Sequence, residues 1–93
     1  MNYPMDVTDT TSRADVVELL HSLGLTQYTV DYFYHNQIDG ASLLILVEDY
    51  DPIPYLINDG YDGGAGDVAI LTRLFADISI MAGIRAELAN PEV

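Results

Sequence analysis

The run Asn58-Asp59-Gly60-Tyr61-Asp62-Gly63-Gly64-Ala65-Gly66-Asp67 holds the residue types nearest to a recognisable chemistry. Carboxylates on glycine-rich backbone are how proteins wrap calcium. The spacing does not carry that reading through: an EF-hand loop begun at Asn58 puts Gly60 at a ligand position and Ala69 where the bidentate Glu belongs. Gly63 to Asp67 is one residue short of the calcium-binding nonapeptide start, and that fold needs stacked repeats. The alternative is a link between helices, with no metal bound. His21 and His35 are the two histidines, and neither has a Ser, a Cys or a second His at a catalytic or zinc-binding spacing. Each reads as a surface or helix-end histidine. A P-loop needs a lysine, and the three basic residues are all arginines, Arg13, Arg73 and Arg85. Carboxylate pairs arise by chance among eleven aspartates. No catalytic constellation assembles, so the chain is expected to be non-enzymatic and without a cofactor.

A different use of side chains is written at Glu48-Asp49-Tyr50-Asp51, with Tyr55 close behind. Tyrosines supply contact area at a protein interface and carboxylates steer the encounter. Solvated carboxylates that contribute little are the competing reading.

Charge narrows the partner. Fifteen acidic residues against three basic ones give a formal net charge of −12 over 93 residues. Nucleic-acid binding draws most of its affinity from Lys and Arg displacing counterions, and three scattered arginines cannot line a groove. Anionic membrane surfaces are disfavoured for the same reason. A basic-surfaced protein is the partner that charge suggests, while solubility or a salty habitat would also account for the acidity. A second function of another class is an acidic mimic of nucleic acid that inhibits a nuclease or DNA-binding protein. With no cysteine there is no disulfide frame or thiolate site. The polar, acidic N-terminus lacks the pattern of a secretory signal, and no apolar stretch approaches the ~18 residues of a membrane span. An intracellular location, cytoplasmic or nuclear, is expected.

The elements that must position these residues are helices. Hydrophobic residues make up 49% of the chain, enough for one modest core. Residues 1–11 read as a flexible leader, residues 12–89 as one helical domain and residues 90–93 as a tail. Ser12 and Asp15 form a capping-box-like pair ahead of the stripe Val16, Leu19, Leu20 and Leu23, which Gly24 ends. Tyr28 to Tyr34 is a second short helix with Tyr28, Tyr32 and Phe33 inward. Asp39 caps a third from Gly40 to Val47, whose run Leu43 to Val47 predicts burial nearly all round. Beyond Glu48 the prolines and glycines allow at most one turn, around Tyr55 to Asn58. A long helix then runs from Asp67 to about Ala89, with Leu71, Leu74, Ile78, Met81 and Leu88 at 3.6 spacing and Asn90-Pro91 stopping it.

The order of these signals resembles the sterile alpha motif (SAM) domain, a small helical interaction module. The residues that carry the likeness are Asp15-Val16-Val17-Glu18-Leu19-Leu20, Leu23-Gly24-Leu25 with Tyr28, Phe33, Ile38-Asp39-Gly40 and Leu43-Leu44-Ile45-Leu46. They cover about half the chain. A bulky aromatic is common in that family where Leu19 stands here, and the link before the last helix is longer and richer in glycine in this chain. The resemblance implies an all-α bundle of four or five helices with a long C-terminal helix. It also implies two binding surfaces that dock head to tail, on another SAM domain or on a second copy. Mapped here, the central surface is Glu48, Asp49, Asp51, Tyr50 and Tyr55, and the second is Gly66, Asp67, Val68 and Asp62 with Arg73 two turns along. Both carry carboxylates, so like charges would meet across a self-contact. The expected function is therefore an adaptor or assembly element that binds a basic-surfaced partner more readily than itself.

Overall fold

Ser12 begins the first helix as its position predicts: its Oγ accepts a hydrogen bond from the Asp15 amide at 3.1 Å. The computed structural model describes residues 7–89, which form α1 (Arg13–Ser22), α2 (Gln27–His35), α3 (Gly40–Asp49), α4 (Pro52–Asn58) and α5 (Ala65–Ala89), with no strand among them. The expected all-helical bundle with a long last helix is what the chain adopts. Helix α3 packs on α5, α1 on α2, and α4 on α5, around a core centred on Leu20, Phe33, Leu43, Leu71 and Ile78. Among the described residues no helix is long and apolar enough to cross a membrane.

Three helices end in the same way. Residues Gly24, Gln37 and Gly60 adopt positive φ (84°, 56° and 104°) just past α1, α2 and α4. In each case the next amide reaches back five residues: Leu25 to the Leu20 carbonyl, Ile38 to Phe33, and Tyr61 to Leu56. These are Schellman motifs, and each following side chain, Leu25, Ile38 or Tyr61, is buried in the core. The backbone bond closes the helix end, and the apolar residue after it pins the chain's new direction. Gln37 alone does this without being glycine, and an L-residue in the left-handed region costs about 1 kcal/mol or more. Gln37→Gly is accordingly expected to stabilise the fold by up to about 1 kcal/mol in urea unfolding, since the exposed side chain forfeits nothing buried.

Several expectations need correction. The flexible leader predicted over residues 1–11 is ordered from Val7 onward, and residues 1–6, like the tail 90–93, lie outside the described residues. Val7 is only 1% exposed and belongs to the core. The Thr8 amide donates to Thr11 Oγ1 at 2.9 Å, the Gly40 amide donates to the Thr11 carbonyl at 2.9 Å, and Arg85 Nη2 donates to the Val7 carbonyl at 2.8 Å. A strap thus joins the start of α3 to the far end of α5. Helix α4 runs seven residues from Pro52, not one turn, because proline at the first helical position gives up no needed amide. On α2 the buried residues are Thr29, Val30 and Phe33, while Tyr28 is exposed. The α3 run is not buried all round: Ile45 is 52% exposed.

Candidate functional site

Helices α2, α3 and α4 enclose a groove of about 330 Å³. Its apolar floor comes from Ile38, Leu46 and Leu56, three residues held by the core. Tyr32 and Asn36, one turn apart on the α2 side, form one wall, and Ser42 and Ile45 of α3 form another. Tyr50 and Tyr55 stand at the mouth, their rings stacked with centroids 4.8 Å apart and planes at 21°. Local sequence explains the stack: α3 stops at Tyr50 in extended backbone and α4 starts at Pro52, so the short corner folds Tyr50 onto Tyr55. Each tyrosine nevertheless keeps nearly half its surface in water.

Asp59 lines the groove, and two further carboxylates directly precede Tyr50 in the chain. Glu48 and Asp49 are exposed in the last turn of α3, the negative end of a helix dipole, with no basic side chain there to offset them. Asp59 accepts a hydrogen bond from the Tyr32 hydroxyl at 2.6 Å. Burial first, then that bond, raise the Tyr32 hydroxyl above its ordinary pKa, so it stays a neutral donor at every physiological pH. Asp51 precedes α4 without a side-chain capping bond, and it lines a separate depression of about 230 Å³ with Pro52, Ile53 and Thr72. The expected central cluster is therefore divided: Tyr50 and Tyr55 come together at the groove, Glu48 and Asp49 flank the corner, and Asp51 faces α5.

The second expected surface does not assemble as one patch. Gly66 is exposed at the start of α5, Val68 is half-buried against the core, and exposed Asp62 donates its amide to the Tyr28 hydroxyl at 2.9 Å. Arg73 is exposed and borders a groove of about 400 Å³ with Leu23, Ala69, Ile70, Leu74 and Asp77. Asp67 is not a surface residue at all. It is 6% exposed and takes hydrogen bonds from the Thr26 hydroxyl and the Thr29 hydroxyl, each at 2.5 Å, and from the Thr26 amide at 3.3 Å. In a capping box the carboxylate reaching back to the N-cap amide stands three residues on. For α2 that position is Thr29, and Asp67 supplies the carboxylate from 41 residues away. Thr29 gives its one proton to Asp67 and so accepts from the Tyr61 hydroxyl at 2.7 Å. Desolvation pushes the Asp67 carboxyl up, but the bonds from Thr26 and Thr29 together outweigh it and leave the pKa lowered.

The loop read as a calcium candidate has this inward-turned Asp67 at its end, and Asp59 is engaged by Tyr32. Among the described residues no three His, Asp or Glu side chains are grouped to hold a metal ion. His21 and His35 are both exposed, His35 edge-on to the Tyr34 ring.

Sequence reasoning missed Tyr32, Asn36, Ile45 and Asp59 as groove residues. The signal for Tyr32 and Asn36 was their i, i+4 spacing, which reads equally as core packing. Compared with known proteins, the chain matches no family model, no curated protein and no solved structure.

Proposed function

We propose that this chain is a SAM-like, non-enzymatic protein-interaction module, an adaptor or assembly element that binds a basic segment of a partner protein at the groove between α2, α3 and α4. The observation that carries the reading is the stacked Tyr50–Tyr55 pair, half exposed over an apolar groove and flanked by Glu48 and Asp49. Rigid aromatics of this kind anchor interfaces at low entropic cost, because their rings are already held before the partner arrives. The carboxylates act earlier in the encounter, attracting cationic side chains and repelling a second acidic copy. An aliphatic residue of the partner, flanked by Lys or Arg, matches a floor of Ile38, Leu46 and Leu56 with Asp59 in the lining. The SAM assignment itself rests on the Asp15 to Leu46 pattern and on the order of the helices.

The test uses amphipathic peptides of Lys, Arg and Leu titrated into the protein and followed by tyrosine fluorescence and amide chemical shifts. Binding is expected to centre on Tyr50, Tyr55 and Ile45. The double change Glu48→Lys with Asp49→Lys should weaken it by roughly tenfold and flatten its salt dependence. Shifts scattered over the acidic surface, or an affinity indifferent to both substitutions, would reject the site.

A further inference from the structure

Helix α5 is 25 residues long, about 37 Å at 1.5 Å per residue, and its second half keeps an apolar stripe in water. Ile80, Ile84 and Leu88 are 60%, 42% and 74% exposed. Exposed side chains one turn apart on a single helix are an uncovered face, and the charge around them differs from the rest of the molecule. Between Val68 and Ala89 the charged residues are Arg73 and Arg85 against Asp77 and Glu87, so this length of helix is neutral in a chain of net charge −12. Two of the three arginines lie here. A second copy can approach this face without the repulsion that it meets elsewhere.

The positions of those charges choose the geometry. Arg73 stands seven residues before Ile80 and Glu87 seven residues after it, two helical turns each way, which keeps all three on one side of α5. We propose that α5 pairs antiparallel with α5 of a second copy about a twofold axis beside Ile80. In an isologous contact, a residue before the axis faces the one equally far beyond it. Arg73 then meets the second copy's Glu87 at both ends, and Ile80 meets its own counterpart at the centre. Ile84 falls opposite Ala76, and Asp77 opposite Gly83; Ala76 and Gly83 are exposed and small enough for the axes to come close. Leu88 comes level with Thr72, beside the apolar groove that Leu23, Ile70 and Leu74 line. The contact is closed: each copy uses the same surface once, so assembly stops at the dimer and leaves the Tyr50–Tyr55 groove, on other helices, open.

Sedimentation equilibrium of the whole chain tests this, with circular dichroism confirming the fold of each variant. The expected result is a monomer–dimer equilibrium with no larger species. Ile80→Glu should give a folded monomer. Arg73→Glu should raise the dimer dissociation constant by about tenfold, and adding Glu87→Arg should restore it, because the pair is remade with its signs exchanged. The chain has no cysteine, so Ile80→Cys should form a disulfide-linked dimer on mild oxidation while Glu18→Cys on α1 does not. A chain that stays monomeric at millimolar concentration overturns the proposal. So does a dimer indifferent to Ile80→Glu, or mass growing past the dimer and abolished by Glu48→Lys with Asp49→Lys, which would place self-assembly on the acidic face.

Discussion

Asp67→Ala is expected to destabilise the fold by about 3 kcal/mol in urea unfolding at neutral pH, because it leaves the donors of Thr26 and Thr29 facing a void. Thr29 is completely buried, so its hydroxyl has no water to turn to; Thr26 is exposed and rehydrates, which keeps the total below the sum of three lost bonds. The Tyr61 hydroxyl is affected in turn, since Thr29, to which it donates, loses the acceptor that oriented it. Asp67→Asn keeps the shape but presents an NH2 to donors, and should cost roughly half as much. The sign of the pH dependence follows from the lowered carboxyl pKa. Ionised Asp67 contributes stability that is fully present above the unfolded carboxylate value of about 3.9, and the contribution is lost as pH falls through the lower native value. The gap between the wild-type protein and Asp67→Asn should therefore be widest near neutrality and close as the solution is acidified below that range. Relief of general charge repulsion acts on both proteins and cancels in the difference. A gap of under half a kcal/mol at pH 7, or one that widens in acid, would show that Asp67 does not hold α2 to α5.

Gly40→Ala is expected to cost about 3 kcal/mol, a large effect for one methyl group. A Cβ at position 40 would lie 2.0 Å from the Thr8 carbonyl oxygen and 2.6 Å from Thr11 Cβ. Backbone cannot yield as a flexible side chain can, so the strap from Val7 to Thr11 must move. Moving it breaks the Gly40 amide bond to the Thr11 carbonyl, worth about 1 kcal/mol, and withdraws Val7 from the core, worth about 2 more. The helix propensity gained by alanine, at most about 1 kcal/mol, opposes this without cancelling it. Gly66→Ala is the matched control: it also lies in the first turns of a helix, but a Cβ there meets nothing within 4 Å, so the same change should be neutral or stabilising. Equal effects at the two positions would mean that the strap is not seated against α3.

What local spacing could reveal, it revealed. Ser12 and Asp39 were legible as caps, because a capping side chain bonds an amide only three residues on. Gly24 was legible as a helix end, since the left-handed conformation favours glycine. Gln37 performs the same role unannounced, its conformation imposed by Ile38 entering the core. Helix α4 was under-read because two prolines look like breakers until one is seen to occupy the first helical position. Tyr50 and Tyr55 were picked out by type, whereas Tyr32 and Asn36 on the α2 side and Asp59 past α4, which complete the groove, stand too far from them in the chain for any pattern to join the set.

By itself the sequence determined the helical class, the order of the helices, the acidity and the separation of the acidic corner from the arginine-bearing last helix. Each of these rests on residue type or on contacts within a turn or two, and a period of 3.6 exposes them. Tertiary structure alone decided which carboxylates face water. Asp67, Asp51 and Glu48 are chemically alike in the sequence, yet one is enclosed by threonines from another helix, one looks toward α5 and one stays exposed in the last turn of α3. Tertiary structure also decided that Val7 is part of the core and that Ile45 is not. Burial of these residues depends on what arrives from elsewhere in the chain, and that arrival is set by helix packing, which carries no periodicity to read.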